Sequence, residues 1–569
     1  MSRPMGEMLT GAQIVCRTLV DAGVDVIFGY PGGAIMPFYH ALPEYPQLRH
    51  VLVRHEQAAA HAADGYARAS GRVGVCVATS GPGATNLVTG LAAAHMDSSP
   101  VVAITGQVAR AMIGRDAFQE TDVIGITLPV TKQSYLVQDV AELSAVVADA
   151  LAVAQAGRPG PVVIDLPKDV QNQKAEYRAP EHPRAGARGQ LQTPDASPGS
   201  VEEAARLIAE AQRPLMMVGH GVILAQAYDE VRTLAEKTGM PVITTLLGIS
   251  AFPEGHPLHL GMPGMHGEVH VNRAIQHADV IVGIGLRFDD RVTGNIAAFA
   301  PRARIIHVDL DRSEIGRNVR VAVGLVGDAR EVTRRLVDAV VPRSCEHWVS
   351  EICGFHRPSR PAAPQELTPD AILDAIHDAS DGRCTIVTDV GQHQMWVAKL
   401  YPYRRPNTHI TSGGLGAMGF AVPAAMGVHL ARPTETVWAI SGDGGFQMNM
   451  AEIATMIQER LTVKMAVFNN GYLGMVRQWQ QFFHGKRYSC TPIFSPDYVK
   501  LADAYGIPGW RVRTPSELTD VVARANAEPG PVLVEFVIAQ EANVFPMIPP
   551  GGSLSEPIET APTPAGTER

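Results

Sequence analysis

Thr436-Val437-Trp438-Ala439-Ile440-Ser441-Gly442-Asp443-Gly444-Gly445 and Val463-Lys464-Met465-Ala466-Val467-Phe468-Asn469-Asn470-Gly471 decide the fold. Each opens as a short apolar, β-branched run and closes on a turn signal. Between them Met450, Ile453, Ala454 and Ile457 recur at helical spacing. Strand, helix and strand in that order form a βαβ unit, whose strands run parallel. Parallel neighbours end at the same edge. Asp443 and Asn470 are therefore expected side by side, where open α/β sheets bind ligands.

The same alternation runs through the chain. Further strands are expected at Val26–Phe28, Val73–Ala78, Val101–Thr105 and Val162–Leu166, with a short one over His50–His55. A second group is Leu215–Val218, Val242–Thr245, Val280–Ile284 and Arg304–Val308; Thr385–Thr388 and Val532–Val537 join the opening pair. Runs this apolar, separated by helices, predict parallel sheets covered on both faces. Residues 171–200 and 342–366 lack that pattern and read as linkers. The expected fold is α/β, with three doubly wound parallel-sheet domains over 1–175, 190–345 and 366–548. Residues 549–569, rich in Pro, Gly, Ser and Thr, are expected to form a mobile tail.

Composition removes other classes. A net charge of −9 without basic blocks argues against nucleic-acid binding. No apolar run is long enough to span a membrane, and residues 1–25 lack a signal peptide's apolar core. Six dispersed cysteines, none in a C-x-x-C pair, fit buried free thiols in a reducing compartment. A cytoplasmic location is expected.

The opening pair carries chemistry. Asp443 offers an anionic oxygen and Asn470 a neutral one, as Mg²⁺ takes when phosphate and water complete its shell. Glycines around Asp443 let backbone N–H groups approach phosphate. Asp-Gly and Asn-Gly are also ordinary turns. Together, with 24 residues between Gly-Asp-Gly and Asn-Asn (Gly445–Phe468), they resemble the thiamine-diphosphate signature. That cofactor is activated by a carboxylate at its pyrimidine ring. Glu56, at a strand-to-helix junction, is the candidate, although its position alone favours a plain helix-dipole partner.

Longer stretches carry a closer resemblance. Arg54-His55-Glu56-Gln57 with Asp64-Gly65-Tyr66-Ala67-Arg68 looks like the pyrimidine-domain glutamate motif of thiamine-diphosphate enzymes. Thr79-Ser80-Gly81-Pro82-Gly83, Asp116-Ala117-Phe118-Gln119-Glu120, Arg287-Phe288-Asp289-Asp290-Arg291, Gly391-Gln392-His393-Gln394-Met395-Trp396 and Met475-Val476-Arg477-Gln478-Trp479 resemble the acetohydroxyacid (acetolactate) synthase catalytic-subunit family. The likeness spans about residues 8–548. It implies a pyrimidine-binding, a FAD-binding and a diphosphate-binding domain, with thiamine diphosphate, Mg²⁺ and a structural FAD as cofactors.

The resemblance implies roles residue by residue. Glu56 would activate the cofactor, with Gly33, Gln119 and Lys168 near the substrate. Asp443, Asn470 and the carbonyl of Tyr472 would hold the metal. Val390, Gln392, His393, Gly444, Leu473, Gly474 and Met475 would line the cofactor, and Met418 would bend it. Phe118, Met475, Val476 and Trp479 would shape the acceptor pocket. For FAD, Gly219 and Gly221 give only a weak dinucleotide signal by themselves, because Leu224 replaces the third glycine. The resemblance adds Arg158, Thr244, Leu246, Gly264, Met265 and His266. It also adds Arg287, Asp289, Arg291, Glu314, Ile315 and Asp328. Leu286 stands where the family usually has Ala, and Ala451 where Gln is usual.

The implied reaction is carboligation through a thiamine-diphosphate ylide and a hydroxyethyl enamine. Two pyruvates give 2-acetolactate and CO₂; pyruvate and 2-ketobutyrate give 2-aceto-2-hydroxybutyrate. These are steps of branched-chain amino-acid synthesis. The implied assembly is a homodimer or dimer of dimers with sites between subunits, plus a separate regulatory small subunit. Two competing readings are a pyruvate oxidase or glyoxylate carboligase and a non-catalytic interaction protein. Glu56 argues against the carboligase, and intact Glu56, Asp443 and Asn470 argue against the last.

Overall fold

The computed structural model describes residues 7–180, 195–355 and 366–561. Among the described residues, three six-stranded sheets, all parallel, account for the strands apart from one small antiparallel pair. The first sheet runs Arg49–Leu52, Val26–Gly29, Gly74–Ala78, Val101–Gln107, Val162–Pro167, Gln133–Leu136. The third runs His409–Thr411, Thr385–Thr388, Val437–Gly442, Val463–Asn469, Val532–Val537, Gly509–Val512. Numbered within each sheet, both follow the order 2-1-3-4-6-5, so these two units repeat one topology with different residues. The middle sheet runs His259–Gly261, Val242–Thr244, Pro214–Val218, Val280–Ile284, Arg304–Asp309, Val323–Val326. Its order is 3-2-1-4-5-6, the arrangement of dinucleotide-binding folds.

The first and third units share a core. Helix Glu56–Ser70, with alanine at 58–60, 62 and 63, lies along helix Ala421–Ala431. Small side chains let the backbones approach closely. A Cβ on Gly427 would lie 1.9 Å from the Ala62 carbonyl oxygen, and one on Gly65 2.2 Å from that of Ala424. Val26, Phe28 and Val51 of the first unit join Val437, Ala439 and Val463 of the third in one apolar cluster.

Several expectations need correction. The strand expected over His50–His55 is Arg49–Leu52. Of the cysteines expected to be buried, Cys353 and Cys490 are exposed. The helix after Asp443 is not continuous: Asp443–Asn449 passes into a 3₁₀ turn at Met450–Glu452 before Ile453–Glu459. The turn shifts the helical phase, so Met456 is buried with Ile453 while Ile457 is exposed. The linker regions also carry structure. Lys174–Glu176 pairs with Met8–Thr10. Helix Glu346–Gly354 seats Trp348 on the middle unit, its indole N–H donating to the Pro214 carbonyl at 3.0 Å. Nor are residues 549–561 a free tail. Leu554 is buried with Val292 and Phe299, Asn295 N–H donates to the Gly552 carbonyl at 3.0 Å, and Met547 bridges Ile558. Residues 562–569 lie outside the described residues.

Candidate active site

The register pairs Gly442 with Phe468, so the two strands of the opening motif end level. Asp443 follows one and Asn470 the other. The Asp443 carboxylate accepts from Gly444 N at 3.0 Å, from Gly471 N at 2.8 Å and from Ser495 Oγ at 3.3 Å. It is thus bonded directly across to the Asn-Asn-Gly turn. Burial pushes its pKa up to about 6, against the pull of those bonds. Asn470 Oδ1 accepts from Tyr472 N at 3.1 Å, and its Nδ2 donates to Gln392 Oε1 at 3.4 Å.

One cleft gathers Val390, Gln392, His393, Met418, Asp443 and Gly444 with Asn470, Tyr472, Leu473, Gly474 and Met475. Four separate segments meet there because the Thr385–Thr388, Val437–Gly442 and Val463–Asn469 strands end at one edge. The residues fit the implied group. Asp443 and Asn470 offer one anionic and one neutral hard oxygen, the donors Mg²⁺ would share with phosphate and water. Among the described residues no three His, Cys, Asp or Glu cluster as a metal site. The His393 ring is buried with Nε2 unpartnered, and burial pushes its pKa down to about 3, leaving it neutral.

A larger cavity of about 1140 Å³ adjoins the cleft. Val390, Gly391, Met418, Met475 and Val476 line both, and Trp479 lines the larger. From there it passes Arg158, Gly221, Leu246, Met265, His266 and Arg287. Asp289, Arg291, Glu314 and Asp328 complete the lining among residues expected for FAD. It opens where the middle sheet reverses order, after Pro214–Val218 and Val280–Ile284. Asp289 Oδ1, Glu314 Oε2 and His266 Nδ1 are buried without partners along it. These are groups that a ligand's hydroxyls and ring nitrogens could satisfy. Gly219, Thr244, Gly264 and Ile315 support this wall without lining it. A Cβ on Gly219 would meet Gly285 O at 2.3 Å and one on Gly264 would meet Arg291 O at 2.0 Å. Thr244 Oγ1 lies 3.3 Å from His259 Nε2, and Ile315 packs beside Gly324. Leu286 is buried against Gly219 and lines the cavity.

Glu56, Gly33, Phe118, Gln119 and Lys168 stand elsewhere, at the carboxyl edge of the first sheet. Glu56 opens its helix and accepts from Asn86 Nδ2 at 2.9 Å. Gln119 has φ +60° and its backbone abuts Gly81. Phe118 is 89% exposed, and Gly33 and Lys168 are exposed. None of the five lines the cleft of Asp443. A single chain therefore presents two separate sets of site residues.

Sequence reasoning missed three supports. Asp389, wholly buried, accepts from Gly419 N at 2.9 and 3.1 Å and so fixes the turn after Met418. Asp97 accepts from Gly413 N at 3.0 Å and Gly414 N at 2.6 Å, while Arg68 holds Asp97 at 2.9 Å. Glu452 bonds the backbone before Glu56. Asp389 had a signal, an acidic residue directly after a strand; the others act across domains and had none.

Three models of thiamine pyrophosphate enzyme domains match the chain: the N-terminal TPP binding domain over residues 9–126, the central domain over 201–336 and the C-terminal TPP binding domain over 389–536. Fold and site thus define a thiamine pyrophosphate enzyme. Among its relatives are the acetolactate synthase large subunits of Mycobacterium tuberculosis, 48% identical over 568 residues, and Corynebacterium glutamicum, 45% over 565. That of Parasynechococcus marenigrum is 44% identical over 565. Each alignment covers 97% of this chain and 90–91% of the relative. The chain belongs to the acetolactate synthase large-subunit family. Among the described residues no helix is long and apolar enough to cross a membrane.

Proposed function

We propose that this chain condenses two 2-keto acids with loss of CO₂, giving 2-acetolactate from pyruvate and 2-aceto-2-hydroxybutyrate from pyruvate with 2-ketobutyrate. The observation that carries this reading is the Asp443–Asn470 cleft opening into a cavity walled by Met475, Val476 and Trp479. Bound thiamine diphosphate supplies a nucleophilic carbon and an electron sink for decarboxylation. Asp443, Asn470 and the Tyr472 carbonyl hold Mg²⁺. The cleft side chains hold the diphosphate, and Met418 props the cofactor from its loop. Glu56 holds a proton at the pyrimidine ring. Gly33, Gln119 and Lys168 orient the 2-keto acid carboxylate, and Phe118 with Trp479 keeps water from the acceptor site. FAD fills the larger cavity in a structural role.

Glu56 and Asp443 lie in different sets, and Phe118 projects into solvent from its loop. We read both as halves of sites completed by a second copy, in a homodimer or dimer of dimers. Relatives named large subunits support a separate small regulatory subunit. The test is product analysis with pyruvate plus 2-ketobutyrate, omitting Mg²⁺, thiamine diphosphate and FAD in turn. Both acetohydroxy acids should form without O₂ uptake, and activity should fall on each omission. Glu56→Gln should lower turnover at least about 100-fold, within the usual worth of a positioned proton-transfer group. Unchanged acetolactate formation in Glu56→Gln would refute this role.

A further inference from the structure

Glu452 belongs to the third unit yet acts on the first. It lies in the 3₁₀ turn that interrupts the helix leading from Asp443, and is 1% exposed. Its Oε1 accepts from the backbone N–H of Arg54 at 2.8 Å and of His55 at 3.2 Å. Thr455 Oγ1 donates to Oε2 at 2.7 Å, fixing the carboxylate's plane. Arg54 and His55 are the two residues before Glu56, and His55 caps the helix that Glu56 opens. Around this contact Arg54 Nη2 donates to Gln458 Oε1 at 2.9 Å and Arg49 Nη2 to the Glu459 carbonyl at 3.0 Å. The last turns of the helix from Asp443 are thus laced to the strand-to-helix junction that ends in Glu56.

We propose that Glu452 is a positioning residue for Glu56: by holding the Arg54 and His55 amides it fixes the direction in which Glu56 enters the site. This rests on the activating role of Glu56 proposed above. Two amides have no helical or strand partner at this junction, and a buried carboxylate is the acceptor that satisfies both at once. A misdirection of about 1 Å is enough to cost an acid–base group much of its effect. The same turn is covalently continuous with Asp443. Each chain would therefore tie its own metal anchor to the glutamate it presents.

The experiment has two readouts. Amide hydrogen exchange, measured on the full chain without cofactor, should rise at least about tenfold at Arg54 and His55 in Glu452→Ala. Glu452→Asp, one methylene shorter, should do the same and carries the test should the alanine variant not fold. Glu452→Gln keeps the accepting oxygen and should stay within about threefold of wild type. With thiamine diphosphate and Mg²⁺ bound, exchange of the cofactor's C2 proton, followed by NMR, should slow about tenfold in the Ala or Asp variant. Thiamine diphosphate affinity should change less than about threefold. Unchanged amide exchange in Ala and Asp, unchanged C2 exchange, or a Gln variant as impaired as Ala would each overturn the proposal. If instead Glu56→Gln itself left C2 exchange unchanged, the reading of Glu56 would fail while the amide result still judged the contact.

Discussion

Gly444 shows how one residue's size serves the cleft. A Cβ there would lie 2.7 Å from Leu473 Cδ2 and 3.6 Å from Met418 Cε, filling the space beside Asp443. Leu473 can yield on its cavity side, so Gly444→Ala should fold. It should weaken thiamine diphosphate binding about tenfold, ~1.4 kcal/mol, in a titration followed by protein fluorescence, with the unfolding midpoint within about 2 °C of wild type. Glu254 gives a pH prediction. Burial pushes its carboxyl up to about 8, and its bond from Tyr403 N at 3.2 Å opposes that only in part. On unfolding this group ionises from about 4.5 upward, whereas the folded chain keeps the proton until about 8. Its contribution to stability is therefore lost as pH rises across that window. Glu254→Gln keeps the acceptor and cannot ionise. Its unfolding midpoint should exceed that of wild type at pH 9 and match it at about pH 3.5, below the unfolded value. An equal gain at both would contradict the assignment. At this scale the sequence was most readable where chemistry and spacing coincide, as in Asp443 with Asn470. Glu452 and Asp97 were illegible because each bonds backbone hundreds of residues away.

At the scale of elements, parallel strands buried on both faces were the clearest signal. Val280–Ile284, Thr385–Thr388 and Val532–Val537 stand as their apolar runs predict. The strands that went unread are mostly sheet edges: Gln133–Leu136, Val323–Val326, Gly509–Val512, His409–Thr411 and His259–Gly261. Most are short or carry residues open to solvent, so no continuous apolar run marks them. The turn at Met450–Glu452 escaped for another reason. A 3₁₀ turn changes phase without any glycine or proline to announce it. Helix packing gives a sharper prediction. The collisions facing Gly65 and Gly427 are with backbone carbonyls, which no rotamer change can relieve. Gly427→Ala should lower stability by about 3 kcal/mol or more, read as a fall in the denaturant midpoint of the transition that separates the first and third units. Gly199→Ala, in helix Pro198–Glu210 with nothing within 4 Å, should be neutral or stabilising by up to ~1 kcal/mol. Helix propensity favours alanine at both positions, so a loss at Gly427→Ala no larger than the change at Gly199→Ala would contradict the close-approach account.

For the whole molecule, three units with two topologies divide the labour. The repeated 2-1-3-4-6-5 sheets each expose a carboxyl edge, one bearing Glu56 and the other Asp443, and the 3-2-1-4-5-6 sheet lies behind the larger cavity. The segment after Met547 returns to the middle unit and buries Ile548 and Leu554 there. Composition pointed to a mobile tail from residue 549 because Pro, Gly and Ser surround the one anchoring residue Leu554. The division into three units was legible from periodicity, whereas the separation of Glu56 from Asp443 within one chain needed the fold. That separation underlies the central claim, that each site is built from two chains. Mixing Glu56→Gln chains with Asp443→Ala chains, unfolding and refolding them together, and assaying acetolactate tests it most directly. Each defective homodimer should be nearly inactive. Random pairing at equal amounts makes half the dimers mixed, each with one site bearing both defects and one bearing neither, so about a quarter of wild-type activity should return. No recovery from a mixture shown to contain mixed dimers would mean that each site lies within one chain.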